Sequence, residues 1–406
     1  MMKILPMEQI RIRRCWHLLC ESLQALQLDM AALLSGDGRP LLAVSHQWSA
    51  LAAHLDGPVV LDDAQLALLG RLDREQWVPL AQLPDAAQRL LDTGLALAHN
   101  DQRQCACRDQ QLRQAHWWGP AAVLHAQARW QGQDSVQQLA ARGMDRLDGL
   151  IGELGIPPAS GRDGEGALPL PPVADSPLEQ LLGRRVSCRN FDGGQMLALD
   201  QVSAVLWAAL AERSTVIHDS GARFSKKGTP SAGGLHPTEA YLLLRNVQGI
   251  KDGCYHYQAS THQLLPLAVG ADADVGNRRD WSALATRWLA GQYWFADAQV
   301  LVVLAPRYDR LQWKYRNHSK AYRAAVLDVG HLSQTLYLAA TEAGLGAFVT
   351  AAINELDVER DLGLQPFGDG PLAIAGFGIR AAQMTTAELD PAGAVWQPAP
   401  EGSGAG

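Results

Sequence analysis

The apolar positions of the chain change period along its length. From Arg11 to Leu34, Trp16, Leu19, Leu23, Leu26 and Met30 recur every three or four residues, which predicts one amphipathic helix. Two short helices follow, around Ala64–Leu69 and from Asp85, the predicted cap, to a stop near Gly94, and then an apolar strand at Leu95 to Ala98. Together they suggest a winged-helix-like N-terminal region over residues 1–151. Its second helix carries one arginine, Arg89, against Asp85 and Asp92, so peptide or partner recognition suits it better than DNA. A role in packing alone is the alternative.

Residues 152–177, with Pro157, Pro158, Pro169, Pro171 and Pro172, read as a linker. Beyond it the pattern is α+β. A helix capped by Asp200 carries Val202, Val205, Leu206, Ala209 and Leu210. Strands are expected at Tyr241 to Val247, Ala298 to Ala305 and Leu372 to Ile379, with a hairpin from Cys254–Tyr257 to Gln263–Leu267. A helix from Lys320 to Ala343 shows Tyr322, Val326, Val329, Leu332, Leu336 and Ala340 on one face and stops at Gly344. The domain is bounded at 178–389, and 390–406 reads as a flexible tail.

Composition narrows the function classes. At 406 residues, 47% hydrophobic and 19% charged, the chain can bury two or three cores. A net charge of -7 argues against a general binder of nucleic acid or anionic membrane. No apolar run reaches spanning length, and a cytoplasmic location is expected. The six cysteines, at 15, 20, 105, 107, 188 and 254, show no Cys-x-x-Cys spacing, so reduced thiols and no metal site are expected. Trp117, Trp118 and Trp130 suggest a core or a subunit interface.

Candidate chemistry gathers around Thr229-Pro-Ser-Ala-Gly-Gly-Leu-His-Pro-Thr-Glu-Ala-Tyr241, whose glycines allow backbone N–H groups to approach a flat or anionic ligand. Upstream, Arg185, Ser187 and Arg189 would share one face of an extended segment, offering two guanidinium forks and a hydroxyl. A surface salt-bridge strip is the plainer alternative for these arginines. His331 reads as a core histidine, and no histidine is singled out for catalysis.

The Arg-x-Ser-x-Arg element followed by Pro-Ser-Ala-Gly-Gly-Leu-His-Pro-x-Glu-x-Tyr resembles the SagB-type dehydrogenases of the nitroreductase superfamily. Trp313-Lys-Tyr315, Asp328-Val-Gly-His331 and Ala343-Gly-Leu-Gly-Ala-Phe348 follow in the same order. The resemblance spans Leu178 to Arg380 and departs from the family at Val186, where a further arginine is frequent. It implies a nitroreductase-like α+β fold, FMN as cofactor and a homodimer with flavin sites at the subunit interface. By the same resemblance Arg185, Ser187 and Arg189 contact FMN, Ser231 and Gly233 line its ring, Thr350 and Ala351 face its reactive nitrogen, and Arg380 reaches the phosphate. Lys314 and Tyr315 become the catalytic pair for oxidising a thiazoline or oxazoline of a precursor peptide to the azole, beside a cyclodehydratase or other modifying enzyme. An NAD(P)H-dependent reductase of dehydroamino acids, nitro compounds or quinones and a non-catalytic scaffold are the alternatives.

Overall fold

The computed structural model describes residues 10–28, 42–161, 166–269 and 280–396. Positions 29–34 of the expected first helix and 397–406 of the expected tail lie outside the described residues. The chain divides into two compact units, one made of residues 1–129 with Leu311–Tyr322, the other of Trp130–Arg310 with Arg323–Gly406.

The first unit is richer in sheet than its periodicity predicts. Strand β1 (Arg11–Arg14) lies between β5 (Val78–Pro79) and β6 (Ala96–Ala98), and β2 (Leu18–Leu28), β3 (Leu42–Ala52) and β4 (Val59–Leu61) form a second sheet. The expected helix from Arg11 is therefore corrected to two strands. Eleven consecutive residues of β2 pair antiparallel with β3, from Leu18 opposite Ala52 to Leu28 opposite Leu42. That long-range ladder outweighs a local spacing that a helix would also accept.

The two short helices are present at Asp63–Leu69 and Ala86–Asp92. The first has a capping box, with Asp62 Oδ1 accepting from Gln65 N–H at 2.7 Å while Asp62 N–H donates to Gln65 Oε1 at 3.0 Å. Asp85 occupies the cap position of the second without a side-chain bond, and Gly94 at φ 78° follows its end. These helices pack Leu68, Leu69, Leu90 and Leu91 onto Ile12 and Leu97. Two helices and a strand match the expectation, and β2, β3 and β4 add a second sheet that it did not include. Of the tryptophans, Trp117 is buried and stacks on His125 at 5.4 Å, whereas Trp118 and Trp130 are exposed.

The second unit is built on a six-stranded antiparallel sheet in the order β11-β10-β9-β12-β14-β13. The strands are β9 (Thr238–Leu244), β10 (Gly253–Gln258), β11 (Gln263–Leu267), β12 (Val300–Pro306), β13 (Gly346–Thr350) and β14 (Ala373–Gly378). The apolar run Val300–Pro306 is continuous because both faces of β12 are covered. Val300, Val302 and Leu304 pack under helices Leu199–Leu210 and Ala321–Glu342, while Leu301 and Val303 meet Leu284, Trp288 and Phe348 on the opposite face. Each such side chain contributes on the order of 2 kcal/mol by leaving water.

The helix Leu199–Leu210 buries the five apolar residues expected of it, but Ala198 is its cap and Asp200 lies in its first turn. On the long helix Ala321–Glu342, Ala325, Val329, Leu332, Leu336 and Ala340 face the core. Val326 does not join them and is 49% exposed beside Leu327 at 55%, which corrects its predicted placement. The remaining strands, β7 (Glu212–Ile217) and β8 (Arg223–Lys227), form a ribbon leading into the Gly-rich loop.

Candidate active site

After helix Pro177–Arg184 the backbone extends, and burial alternates residue by residue. Val186, Cys188 and Asn190 are buried, while Arg185, Ser187 and Arg189 occupy the other face, as the period of two requires. An apolar side chain suits position 186, which is buried. The segment is docked against the edge strand β13 by a parallel bridge from Ser187 to Ala347, with Cys188 N–H donating to Ala347 O at 2.8 Å.

Tyr337 of the long helix fixes this face. Its hydroxyl meets Ser187 Oγ at 2.9 Å and accepts from Val349 N–H at 3.2 Å, and the Arg185 guanidinium lies over its ring at 5.4 Å. Among the described residues neither Arg185 nor Arg189 has a carboxylate within ion-pair distance. Two uncompensated guanidinium groups and a hydroxyl on one face suit a phosphate.

Arg380 is held differently. Its Nη1 pairs with Glu388 Oε2 at 2.5 Å, so its charge is compensated. Glu388, whose side chain is fully buried, also accepts from Arg189 N–H, Asn190 N–H and Asn190 Nδ2 through Oε1 and from Trp396 Nε1 through Oε2. Desolvation raises the pKa of this carboxyl, but those donors and Arg380 together outweigh it and hold the pKa below its ordinary value.

The Gly-rich loop is anchored on the same long helix. Asp328 accepts from Ser231 Oγ at 2.6 Å and from Ala232 N–H at 3.1 Å, and Ser231 Oγ in turn accepts from His236 N–H at 2.9 Å. Gly233 at φ 63° and Gly234 at φ 67° make the turn that an L side chain rarely adopts, and His236 follows at φ 45°. Burial raises the Asp328 pKa and lowers that of His236 to about 4. Asp328 and Tyr337 are nine residues apart, so one helix of about 1.5 Å rise per residue holds both halves of the site roughly 13 to 14 Å apart.

At the other end of β13, Thr350 Oγ1 donates to Gln292 Oε1 at 3.2 Å and accepts from Ala352 N–H at 3.1 Å, while Gln292 Nε2 donates to Ala352 O at 2.6 Å. These bonds fix the turn that contains Ala351. Beside it lies a cavity of about 660 Å³ lined by Trp130, Leu139, Trp294 and Ala352 among others. Lys314 and Tyr315 belong to the first unit: Lys314 is exposed at the end of helix Tyr308–Lys314, with its ammonium 5.6 Å from the Tyr315 ring. Arg185, Ser187, Arg189, Ser231, Gly233, Thr350, Ala351 and Arg380 all belong to the second.

Sequence reading gave no role to Tyr337, Gln292 or Glu388. Only Asp328 left a signal, as a carboxylate on the apolar face of a helix between Ala325 and Leu332.

The nitroreductase family model matches residues 182–379. The chain is 29% identical over 198 residues to a protein of Methanocaldococcus jannaschii that its name assigns provisionally to the nitroreductases, covering 49% of this chain and 90% of that protein. It is 30% identical over 172 residues to the trifolitoxin-processing protein TfxB of Rhizobium leguminosarum bv. trifolii, covering 42% of this chain and 44% of that protein. The match thus spans less than half of the latter's length. Among solved structures, a chain of the E. coli microcin synthetase complex with truncated pro-peptide bound aligns at 20% identity and a TM-score of 0.47, covering 66% of this chain and 96% of that one.

Proposed function

From the premise that residues 182–379 form a nitroreductase-family domain, we propose that the chain is an FMN-dependent dehydrogenase that oxidises a thiazoline or oxazoline ring of a ribosomal precursor peptide to the azole. The observation that carries this reading is the pairing of two halves on one helix. Tyr337 holds the Arg185-x-Ser187-x-Arg189 face, and Asp328 holds the Ser231 to Gly234 turn. The likeness to a trifolitoxin-processing protein favours a peptide as substrate.

Bound FMN would supply an acceptor for two electrons. Arg185, Ser187 and Arg189 would hold its phosphate and ribityl chain, and Ser231 and Gly233 would line its ring. Thr350 and Ala351 would present backbone to its ring, with the turn between them held by Gln292. Arg380 acts through Glu388, which sets the position of Arg189. Lys314 removes the proton from the ring carbon and Tyr315 orients it. The functional unit is a homodimer, and the exposed Val326 and Leu327 supply apolar surface for a second copy. A cyclodehydratase or other modifying enzyme forms the azoline beforehand.

Co-expression with an azoline-bearing precursor peptide tests the reading by mass. The expected result is loss of two hydrogens per ring with the native chain and no change with Lys314→Ala, which retains FMN. A gain of two hydrogens would point to the NAD(P)H-dependent reductase instead. An unaltered peptide beside a flavin-free protein would leave a scaffold role.

A further inference from the structure

A second polar site lies beside the Gly-rich loop. A cavity of about 390 Å³ opens between the β7–β8 ribbon and strands β9 and β10, and its wall carries Arg223, Lys227, Glu239, His256, Arg307 and Arg310. Most of these charges already have partners. Arg223 pairs with Glu212 at 2.7 Å, Glu239 meets His256 at 3.1 Å and Arg307 pairs with Asp309 at 2.9 Å. Arg310 donates to Leu235 O at 2.6 Å and to Arg223 O at 3.3 Å.

Lys227 is the exception. It is 7% exposed, and among the described residues its ammonium has no hydrogen-bond or ion-pair partner. Its stem is buried while its ammonium keeps access to the cavity, so this cation is open to a ligand and not spent on an internal contact. Desolvation lowers the Lys227 pKa, with Glu239 and Glu212 acting against it. Both carboxylates are engaged elsewhere, by His256 and Arg223, so the wall retains an excess of positive charge facing a space large enough for a small ligand group.

We propose that this cavity binds an oxyanion, a carboxylate or a phosphate group, with Lys227 as its principal contact. The position of Lys227 gives the site a consequence. It ends β8 four residues before Ser231, and with His236 it also lines the small recess formed by Ser231, Asp328 and Leu332. An anion here is held next to the loop that Asp328 fixes. Two sources share this chemistry: the carboxylate of an acidic side chain or chain terminus of a peptide, and the phosphate of a nucleotide. The inference rests on the geometry of Lys227 and stands apart from the flavin assignment.

The test is titration of the full chain with inorganic phosphate and, separately, with propionate at constant ionic strength, followed by thermal denaturation and calorimetry. At least one anion should raise the melting temperature in a saturable way. Lys227→Met should weaken that binding by about tenfold or more, the loss of one charge-assisted contact, while Lys227→Arg keeps it within about threefold. Lys227→Met should itself melt close to the anion-free native chain, because it breaks no hydrogen bond or ion pair among the described residues; Lys227→Gln provides the same comparison if the methionine variant does not fold. Tighter propionate binding identifies a peptide carboxylate as the source, and tighter phosphate binding a nucleotide. Failure of both anions to bind, or equal binding by the native chain and the neutral variants, overturns the proposal.

Discussion

Glu388→Ala is expected to destabilise the second unit by about 3 kcal/mol, the lower end of the cost of breaking a buried ion pair. The lower end applies because Arg380, left without its partner, keeps 18% side-chain exposure and reaches some water. The loss extends beyond one ion pair, since Arg189 N–H, Asn190 N–H and Asn190 Nδ2 all lose the same acceptor. Asn190 also binds the segment that carries Glu388 directly, accepting from Thr385 N–H at 2.7 Å and Thr386 N–H at 2.8 Å. Denaturant unfolding at neutral pH checks the figure. The pH dependence follows from the sign of the shift. A carboxyl whose folded pKa lies below its unfolded value contributes stability above the unfolded value of 4.5, and that contribution is lost as pH falls through the folded pKa. The gap between native and variant proteins should therefore narrow on acidification.

Asp328→Ala has the second large effect, and it separates stability from ligand binding. The variant leaves the Ser231 hydroxyl and Ala232 N–H without their acceptor, at about 1 to 3 kcal/mol for the buried group that water reaches least. Part of that loss is offset, because burial already raises the Asp328 pKa and removal of the side chain relieves a desolvated carboxylate. The net change in stability should be near 1 kcal/mol. FMN affinity should fall by more, about 100-fold, because the turn through Gly233 and Gly234 is no longer held in its left-handed conformation. Calorimetric titration of the two proteins with FMN measures the difference. Equal affinities would show that the loop does not contact the cofactor.

How far the sequence carried these assignments depended on the range of the interactions. The alternation at Arg185, Ser187 and Arg189 is local, and the extended backbone reproduces it. Strands β12 and β14 were legible because their apolar runs exceed what a solvent-facing strand would carry. Strand β2 was not, since its identity comes from pairing with β3 and not from its own spacing. Glu388 was illegible for a related reason. It meets Asn190 across 198 residues, and an isolated glutamate near a Pro/Gly-rich end carries no local signal of burial. Val326 shows the limit of helical periodicity, which locates an apolar stripe but not the side of it left without a cover. Lys227 shows a different limit. A lysine ending a polar ribbon reads as solvated until the cavity around it is seen.

The central claim is that Arg185, Ser187 and Arg189 form the cationic, phosphate-binding end of a flavin cradle. Equilibrium binding of FMN to the full chain, followed by quenching of flavin fluorescence, tests it most directly when the native protein is compared with the double variant Arg185→Ala/Arg189→Ala. Neither guanidinium is spent on an internal ion pair among the described residues, so the variant should fold normally and bind FMN about 100-fold or more weakly, the equivalent of two charge-assisted contacts. FMN binding of undiminished strength in the double variant, or no FMN binding by the native chain, would contradict it.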